Sequence, residues 1–159
     1  MERFDYVKLL IDCGGEDLSV CAKVIPEGIY TVMGPGGQLT DLGRGLVLLR
    51  PGASPPGTQV WDVAFDAGQY TLRNQATRRF LGNDGDPNLV AWRVRGCDTP
   101  FGWYLVRGDD DEPNTCLMTS AQSAERFRLA PSILRIWPPQ VAIAPASAQF
   151  DFEWTFQPV

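Results

Sequence analysis

Val60-Trp61-Asp62-Val63, Gly102-Trp103-Tyr104-Leu105 and Glu153-Trp154-Thr155-Phe156 are three look-alike segments, each built around a tryptophan. Upstream of each lies an apolar, strand-like run: 46–49, 89–92 and 140–143. The valine of each run stands a nearly constant distance before its tryptophan. Val47 is 14 residues before Trp61, Val90 is 13 before Trp103, and Val141 is 13 before Trp154. Further upstream each segment opens with an aromatic, one residue and an aliphatic: Tyr30-Thr31-Val32, Tyr70-Thr71-Leu72 and Phe127-Arg128-Leu129. Self-similarity at such a period marks units that cannot bury their own apolar face and must pack against copies of themselves.

Between the repeats, glycine and proline punctuate short runs. Gly34-Pro35-Gly36-Gly37 and Asn83-Asp84-Gly85-Asp86-Pro87 read as turns, and 51–56 reads as a loop. The strands expected are 29–33, 38–42, 46–50 and 60–65 in the first unit, then 69–74, 78–81, 89–94 and 102–106 in the second. The third unit offers 126–130, 133–137, 140–144 and 153–157, after a polar insertion at 108–123. Strands this short and this regularly interrupted argue for an all-β protein. Three four-strand units around a pseudo-threefold axis, spanning about 26–66, 67–107 and 124–159, describe a single β-trefoil domain. Trp61, Trp103 and Trp154 are expected to face inward as packing residues. Residues 1–25 are expected to be an N-terminal extension. In it Phe4, Val7, Leu10 and Ile11 have helical spacing that Gly14-Gly15 would stop.

A chain of 159 residues suits one domain. Nineteen acidic against 14 basic residues leave a net charge of −5, which argues against a nucleic-acid partner. The acidic run Asp109-Asp110-Asp111-Glu112 reads as a solvated loop. The absence of histidine from the sequence removes the usual general base, the usual zinc ligand and any Ser-His-Asp triad. The expectation is a protein that is not an enzyme and needs no cofactor or metal. Cys13, Cys21, Cys97 and Cys116 form no CxxC pair. A Cys13–Cys21 or Cys97–Cys116 bridge is geometrically conceivable, while four thiols would fit a reducing compartment. No apolar run approaches the roughly 18 residues of a membrane span, and the N-terminus does not read as a secretion signal. A cytoplasmic protein with no membrane partner is expected.

Five stretches together resemble a known family: Glu27-Gly28-Ile29-Tyr30-Thr31-Val32, Gln59-Val60-Trp61-Asp62-Val63, Gln69-Tyr70-Thr71-Leu72-Arg73-Asn74, Phe80-Leu81-Gly82 and Trp137-Pro138-Pro139-Gln140-Val141. In this order they look like the mushroom β-trefoil serine protease inhibitors of the cospin type. The chain departs from that family in its extension, its cysteines and the 108–123 stretch. The resemblance implies inhibition of a trypsin-like protease by a substrate-like surface loop, matched here by Leu42, Gly43, Arg44 and Gly45. Arg44 would enter the acidic specificity pocket, where a guanidinium pairs bidentately with a carboxylate. An extended, projecting 41–46 loop would suit that role, and a tight turn would not. Two other loops are candidates. Asn74 and Gln75 resemble the legumain-directed loop of mushroom cysteine protease inhibitors, and Pro138 and Pro139 make the stiffest loop in the chain.

Ricin-B-type lectins are a more distant likeness, through the Gln-x-Trp ending of Gln59-Val60-Trp61. That likeness implies a glycan partner. The best sugar-binding set is Asp84, Asp86, Asn88 and Trp92, which pairs hydrogen-bonding groups with an aromatic face. It is not repeated, since Leu49 and Ala142 or Ile143 stand where Trp92 would be. The Gln-x-Trp glutamine likewise gives way to Phe101 and Phe152. Repeated sites are what give multivalent lectins their avidity.

Overall fold

The computed structural model describes residues 24–43, 45–83, 94–107, 112, 114–121, 127–132, 136–145 and 152–159, and every regular element among them is a strand. The strands are β1 (Gly28–Gly34), β2 (Gly37–Asp41), β3 (Leu46–Leu49), β4 (Trp61–Asp66), β5 (Gln69–Asn74) and β6 (Phe80–Gly82). They continue as β7 (Arg95–Cys97), β8 (Trp103–Arg107), β9 (Thr115–Ser120), β10 (Phe127–Pro131), β11 (Val141–Pro145) and β12 (Trp154–Pro158).

Antiparallel pairing runs β1–β4, β4–β5, β5–β8, β8–β9, β9–β12 and back to β1. Six strands therefore close into a barrel-like ring, and closure leaves the ring without an exposed edge. The other six form the hairpins β2–β3, β6–β7 and β10–β11. Each hairpin is joined through its first strand to the ring strand before it.

Alternation along the ring strands sends one face inward. Val63 faces Leu72, Leu105 faces Met118 and Phe156 faces Val32, all buried. Trp61, Trp103 and Trp154 are fully buried beneath the hairpins. A buried indole N–H needs an acceptor. Each of the three finds a backbone carbonyl on a hairpin's first strand: Leu39 at 3.1 Å, Leu81 at 3.0 Å and Leu129 at 3.0 Å. Those leucines stand opposite Leu48, Gly96 and Ile143. Two residues earlier on the returning strands, Leu46, Val94 and Val141 are all fully buried. They meet through their backbones. Leu46 N–H donates to Val94 O at 3.4 Å, Val94 N–H to Val141 O at 3.1 Å, and Leu48 N–H to Pro139 O at 2.8 Å. The three hairpins thus join as a cap over one end of the ring.

At the end remote from the hairpins, Ile25 is buried in the ring. Its N–H donates to the Tyr70 hydroxyl at 3.1 Å, and that hydroxyl donates back to Ile25 O at 2.8 Å. Tyr30 Oη donates to Pro26 O at 2.8 Å, and Arg107 Nη2 to Val24 O at 3.3 Å. Ile25 is therefore part of the core and not of an extension. Residues 1–23 lie outside the described residues.

Three sequence expectations shift. The strand that pairs with β6 is β7, Arg95–Cys97, just past the expected 89–94, of which 89–93 lie outside the described residues. The cap residue of the second hairpin is Val94, nine residues before Trp103, whereas Leu46 lies fifteen before Trp61 and Val141 thirteen before Trp154. Loops between the strands absorb the difference, so constant spacing to tryptophan misaligned the second hairpin. Second, the stretch 108–123 holds a ring strand, β9, whose six residues are all buried. Phe127-Arg128-Leu129 lies instead on β10, a hairpin strand, and the ring position of Tyr30 and Tyr70 falls to Cys116, two residues before Met118. Third, Ile136 and Trp137 lie outside any strand, and 133–135 are not among the described residues.

Candidate functional site

The cap gathers the loops that the sequence offers for recognition, because each hairpin loop ends at one of the three joined cap residues. The β2–β3 loop is the shortest. Asp41 and Leu46 are paired across the hairpin, so only 42–45 connect them. Leu42 is half-exposed, Gly43 is exposed at φ 92° and Gly45 is buried, while Arg44 lies outside the described residues. The positive φ is one that glycine adopts without strain. Gly43 N–H donates to Asp41 Oδ1 at 2.8 Å, and Gly43 O accepts from Arg79 Nη2 at 2.8 Å. Asp41 Oδ2 accepts from Thr77 Oγ1 at 2.6 Å. Asp41 itself is fully buried, with Arg79 Nη2 3.6 Å from its Oδ1. Among the described residues of the segment, Asp41 and Gly43 are held against the β5–β6 turn by these bonds.

Asn74 is no surface anchor. It is fully buried, and its amide is consumed within the chain. Nδ2 donates to Thr58 O at 2.9 Å, and Oδ1 accepts from Ala76 N at 3.0 Å and Thr77 N at 3.1 Å. That is the local turn chemistry asparagine performs well. Gln75 is turned to Asp62, with Nε2 2.8 Å from Oδ1. The structure therefore joins two of the sequence candidates through one network, since Thr77 and Arg79 of the β5–β6 turn hold the β2–β3 turn.

Pro138 and Pro139 are partly buried after a cis Trp137–Pro138 bond, and Pro139 O belongs to the cap hydrogen bonds. Beside them Trp137 is 79% exposed and Ile136 48% exposed. Asp84, Asp86, Asn88 and Trp92 lie outside the described residues. Their loop leaves from Gly82 at the end of β6 and returns at Val94, fully buried in the cap. Gln59 is buried and used up. Its Nε2 donates to Thr40 Oγ1 at 3.2 Å and Arg50 O at 2.9 Å, and its Oε1 accepts from Gly52 N at 3.0 Å. At the matching place Phe101 packs on Trp103, with ring centroids 5.2 Å apart.

No group of three or more potential metal ligands occurs among the described residues. The resolved pKa shifts belong to the ring interior. Burial raises Tyr30 and Tyr70 above the ordinary tyrosine value and pushes the Cys116 thiol up to about 12. Cys97 and Cys116 are both buried thiols. Sequence reasoning missed the Asp41–Thr77–Arg79 network. Its one visible signal was Asp41-Leu42-Gly43, the composition of an Asx turn.

No protein-family model and no curated protein matches the chain. Solved structures do. A ricin B-like lectin of Macrolepiota procera, in complex with lactose, superposes with a TM-score of 0.68 at 17% identity, covering 85% of this chain and 99% of the lectin. The Rhizoctonia solani agglutinin gives 0.65 at 19% identity, covering 85% and 97%. A Polyporus squamosus lectin bound to a human-type influenza-binding epitope, Neu5Aca2-6Galb1-4GlcNAc, gives 0.63 at 15%, covering 84% of this chain and 50% of that one. The likeness shows that the chain shares the fold of the ricin B-like lectins. It lends nothing to the protease-inhibitor expectation.

Proposed function

We propose that this protein is a non-enzymatic glycan-binding protein, a β-trefoil lectin whose three units open at β1, β5 and β9 around a pseudo-threefold axis. The observation that carries it is the shared fold: two fungal lectins are covered over 97% and 99% of their length, one of them solved with lactose. The matched register of Leu39, Leu81 and Leu129 under the three indoles supports the threefold division.

Asp84, Asp86, Asn88 and Trp92 on the β6–β7 loop are the residues we assign to the sugar. Carboxylate and amide oxygens accept hydrogen bonds from sugar hydroxyls, and an indole face packs against the apolar face of a pyranose. The second hairpin is favoured over the first because Asp41 and Gln59 spend their polar atoms inside the protein. It is favoured over the third because prolines lack the N–H that a hydroxyl could bind. The buried thiols of Cys97 and Cys116 support a reducing, cytoplasmic location.

Retention on immobilised lactose and a glycan array carrying neutral and sialylated sugars test the proposal. Wild type should bind at least one glycan and elute with the free sugar, and Trp92→Ala should lose binding with its thermal midpoint unchanged. An array without a hit sinks the proposal. Trypsin inhibition that disappears in Arg44→Ala would restore the protease-inhibitor expectation.

A further inference from the structure

The end of the ring remote from the cap is closed by something other than sheet. Tyr30, Tyr70 and Cys116 hold equivalent ring places, each paired with a core tryptophan: Tyr30 with Trp61, Tyr70 with Trp103 and Cys116 with Trp154. Two of these places carry a tyrosine, and the third carries a far smaller side chain. Ile25 is buried in one apolar cluster with all three. An aliphatic side chain brought from outside the ring thus accompanies the place where the ring lacks an aromatic of its own.

Side chains do the fastening. Three successive carbonyls accept from donors on three ring strands: Val24 O from Arg107 Nη2 at 3.3 Å, Ile25 O from Tyr70 Oη at 2.8 Å and Pro26 O from Tyr30 Oη at 2.8 Å. Ile25 N–H donates to Tyr70 Oη at 3.1 Å, and Glu27 Oε1 accepts from Phe65 N–H at 2.8 Å. Among the described residues, no backbone–backbone hydrogen bond ties 24–27 to the ring, and the ladder begins at Gly28, opposite Val63. The bonds from Arg107 and to Glu27 lie exposed, where water competes for the same groups. A segment held in this way comes free without breaking a strand ladder, and few buried contacts with no ladder are what mark the low-stability end of a fold.

We propose that Val24-Ile25-Pro26 is a latch over this end of the ring, one that opens while the barrel stays folded and bares Cys116 to solvent when it does. Closed, Ile25 fills room that a third tyrosine would take, and the thiol is buried. Open, the Tyr30 and Tyr70 hydroxyls turn to water, and the place of the isoleucine side chain becomes the way in to Cys116. The latch lies remote from the cap, so it operates whether or not the chain binds a glycan.

Alkylation of the full chain by N-ethylmaleimide, mapped peptide by peptide, follows Cys116 with Cys97 of β7 as the internal reference. In wild type the Cys116 rate should stay nearly flat in urea below the unfolding transition, because a three-residue opening exposes little surface. Ile25→Gly should speed Cys116 labelling by about tenfold or more, the consequence of one aliphatic side chain's lost burial, and leave the Cys97 rate as it was. Tyr70→Phe removes both bonds on Ile25 and should speed Cys116 by less. Ile143→Ala lowers stability from the cap side and should leave Cys116 labelling unchanged. An unaltered Cys116 rate in Ile25→Gly overturns the proposal. So does equal acceleration of both thiols in that variant, or an Ile143→Ala effect on Cys116 of the same size. Should Ile25→Gly fail to fold, the wild-type urea series decides, and a Cys116 rate that climbs as steeply as global unfolding ends the latch.

Discussion

At the level of the three buried tryptophans the hairpins are interchangeable, and one layer higher, at the cap, they are not. Each indole donates to a leucine carbonyl at 3.0 or 3.1 Å, and each hairpin returns through a fully buried aliphatic. Above that layer the first hairpin closes in a four-residue turn tied down by the buried Asp41 carboxylate, which faces the partly exposed Arg79. The third is built on consecutive prolines beside an exposed tryptophan, and the second carries the long acidic loop with Trp92. What repeats is what packing demands of all three hairpins alike. What differs is free of that demand, which is why the proposed recognition site is placed there.

Truncating the core tryptophans breaks the comparison most sharply. Trp61→Ala, Trp103→Ala and Trp154→Ala should each lower stability by about 3–5 kcal/mol in urea unfolding, since each leaves a large cavity and strands a buried carbonyl. The three values should agree to within about 1 kcal/mol, the scatter expected of similar cavities. One inexpensive member of the set would show that the hairpins are not equivalent even in the core. Asn74→Ala tests the join between ring and cap. It removes three hydrogen bonds and leaves the Ala76 and Thr77 amides without their acceptor. A loss of about 1–3 kcal/mol is expected, with the larger share of new amide exchange falling in the 42–45 and 75–79 turns.

The core was legible because a tryptophan is too large to leave half-packed and recurs wherever the interior repeats. Register was less legible. Val90 was matched to Val47 by spacing, while the structure matches Val94 to Leu46, because the loops before and after the hairpin strands trade length without disturbing the core. Strand β9 was hidden by its composition. Thr115, Cys116, Thr119 and Ser120 look like a loop in a sequence, yet all are buried because both faces of that strand are covered. Cys116 in the place of Tyr30 and Tyr70 removed the aromatic that would have announced the ring strand opposite Trp154. At the site, the residue types of the loops were readable and their exposure was not. Asn74 looked like an anchor and proved to be an internal brace. Asp41, at the end of the expected strand 38–42, gave no sign of its role, because its partners Thr77 and Arg79 lie 36 and 38 residues further along the chain.

Cys116 sharpens the comparison from the side of pH. Burial holds its thiol protonated, with the pKa raised from 9.0 to about 12. The unfolded chain therefore releases this proton first as pH climbs. Between 9 and 12 the folded state binds more protons than the unfolded one, so the stabilising contribution is complete below pH 9 and fades as pH rises toward 12. The expected slope from this one group is about 1.4 kcal/mol per pH unit within that window. Tyr30 and Tyr70, also raised by burial, add loss of the same sign. Cys116→Ala should flatten the pH dependence of the urea midpoint between pH 9 and 10, before the tyrosines ionise in the unfolded chain. An unchanged slope would place the thiol in contact with water.

Trp137→Ala carries the smallest expected effect and the cleanest contrast. The residue has the same side chain as Trp154 and lies on the hairpin whose Leu129 carbonyl accepts the Trp154 indole N–H. Its indole, however, is 79% exposed, so little apolar area leaves water when the protein folds. The change should shift stability by no more than about 0.5 kcal/mol, the range of surface substitutions. An iodide-quenchable part of the wild-type fluorescence should vanish with it. A loss of several kcal/mol would mean that the third hairpin's loop is built into the core after all. Cap and core would then no longer be separable regions, and a recognition surface free to vary could not be assigned to the cap.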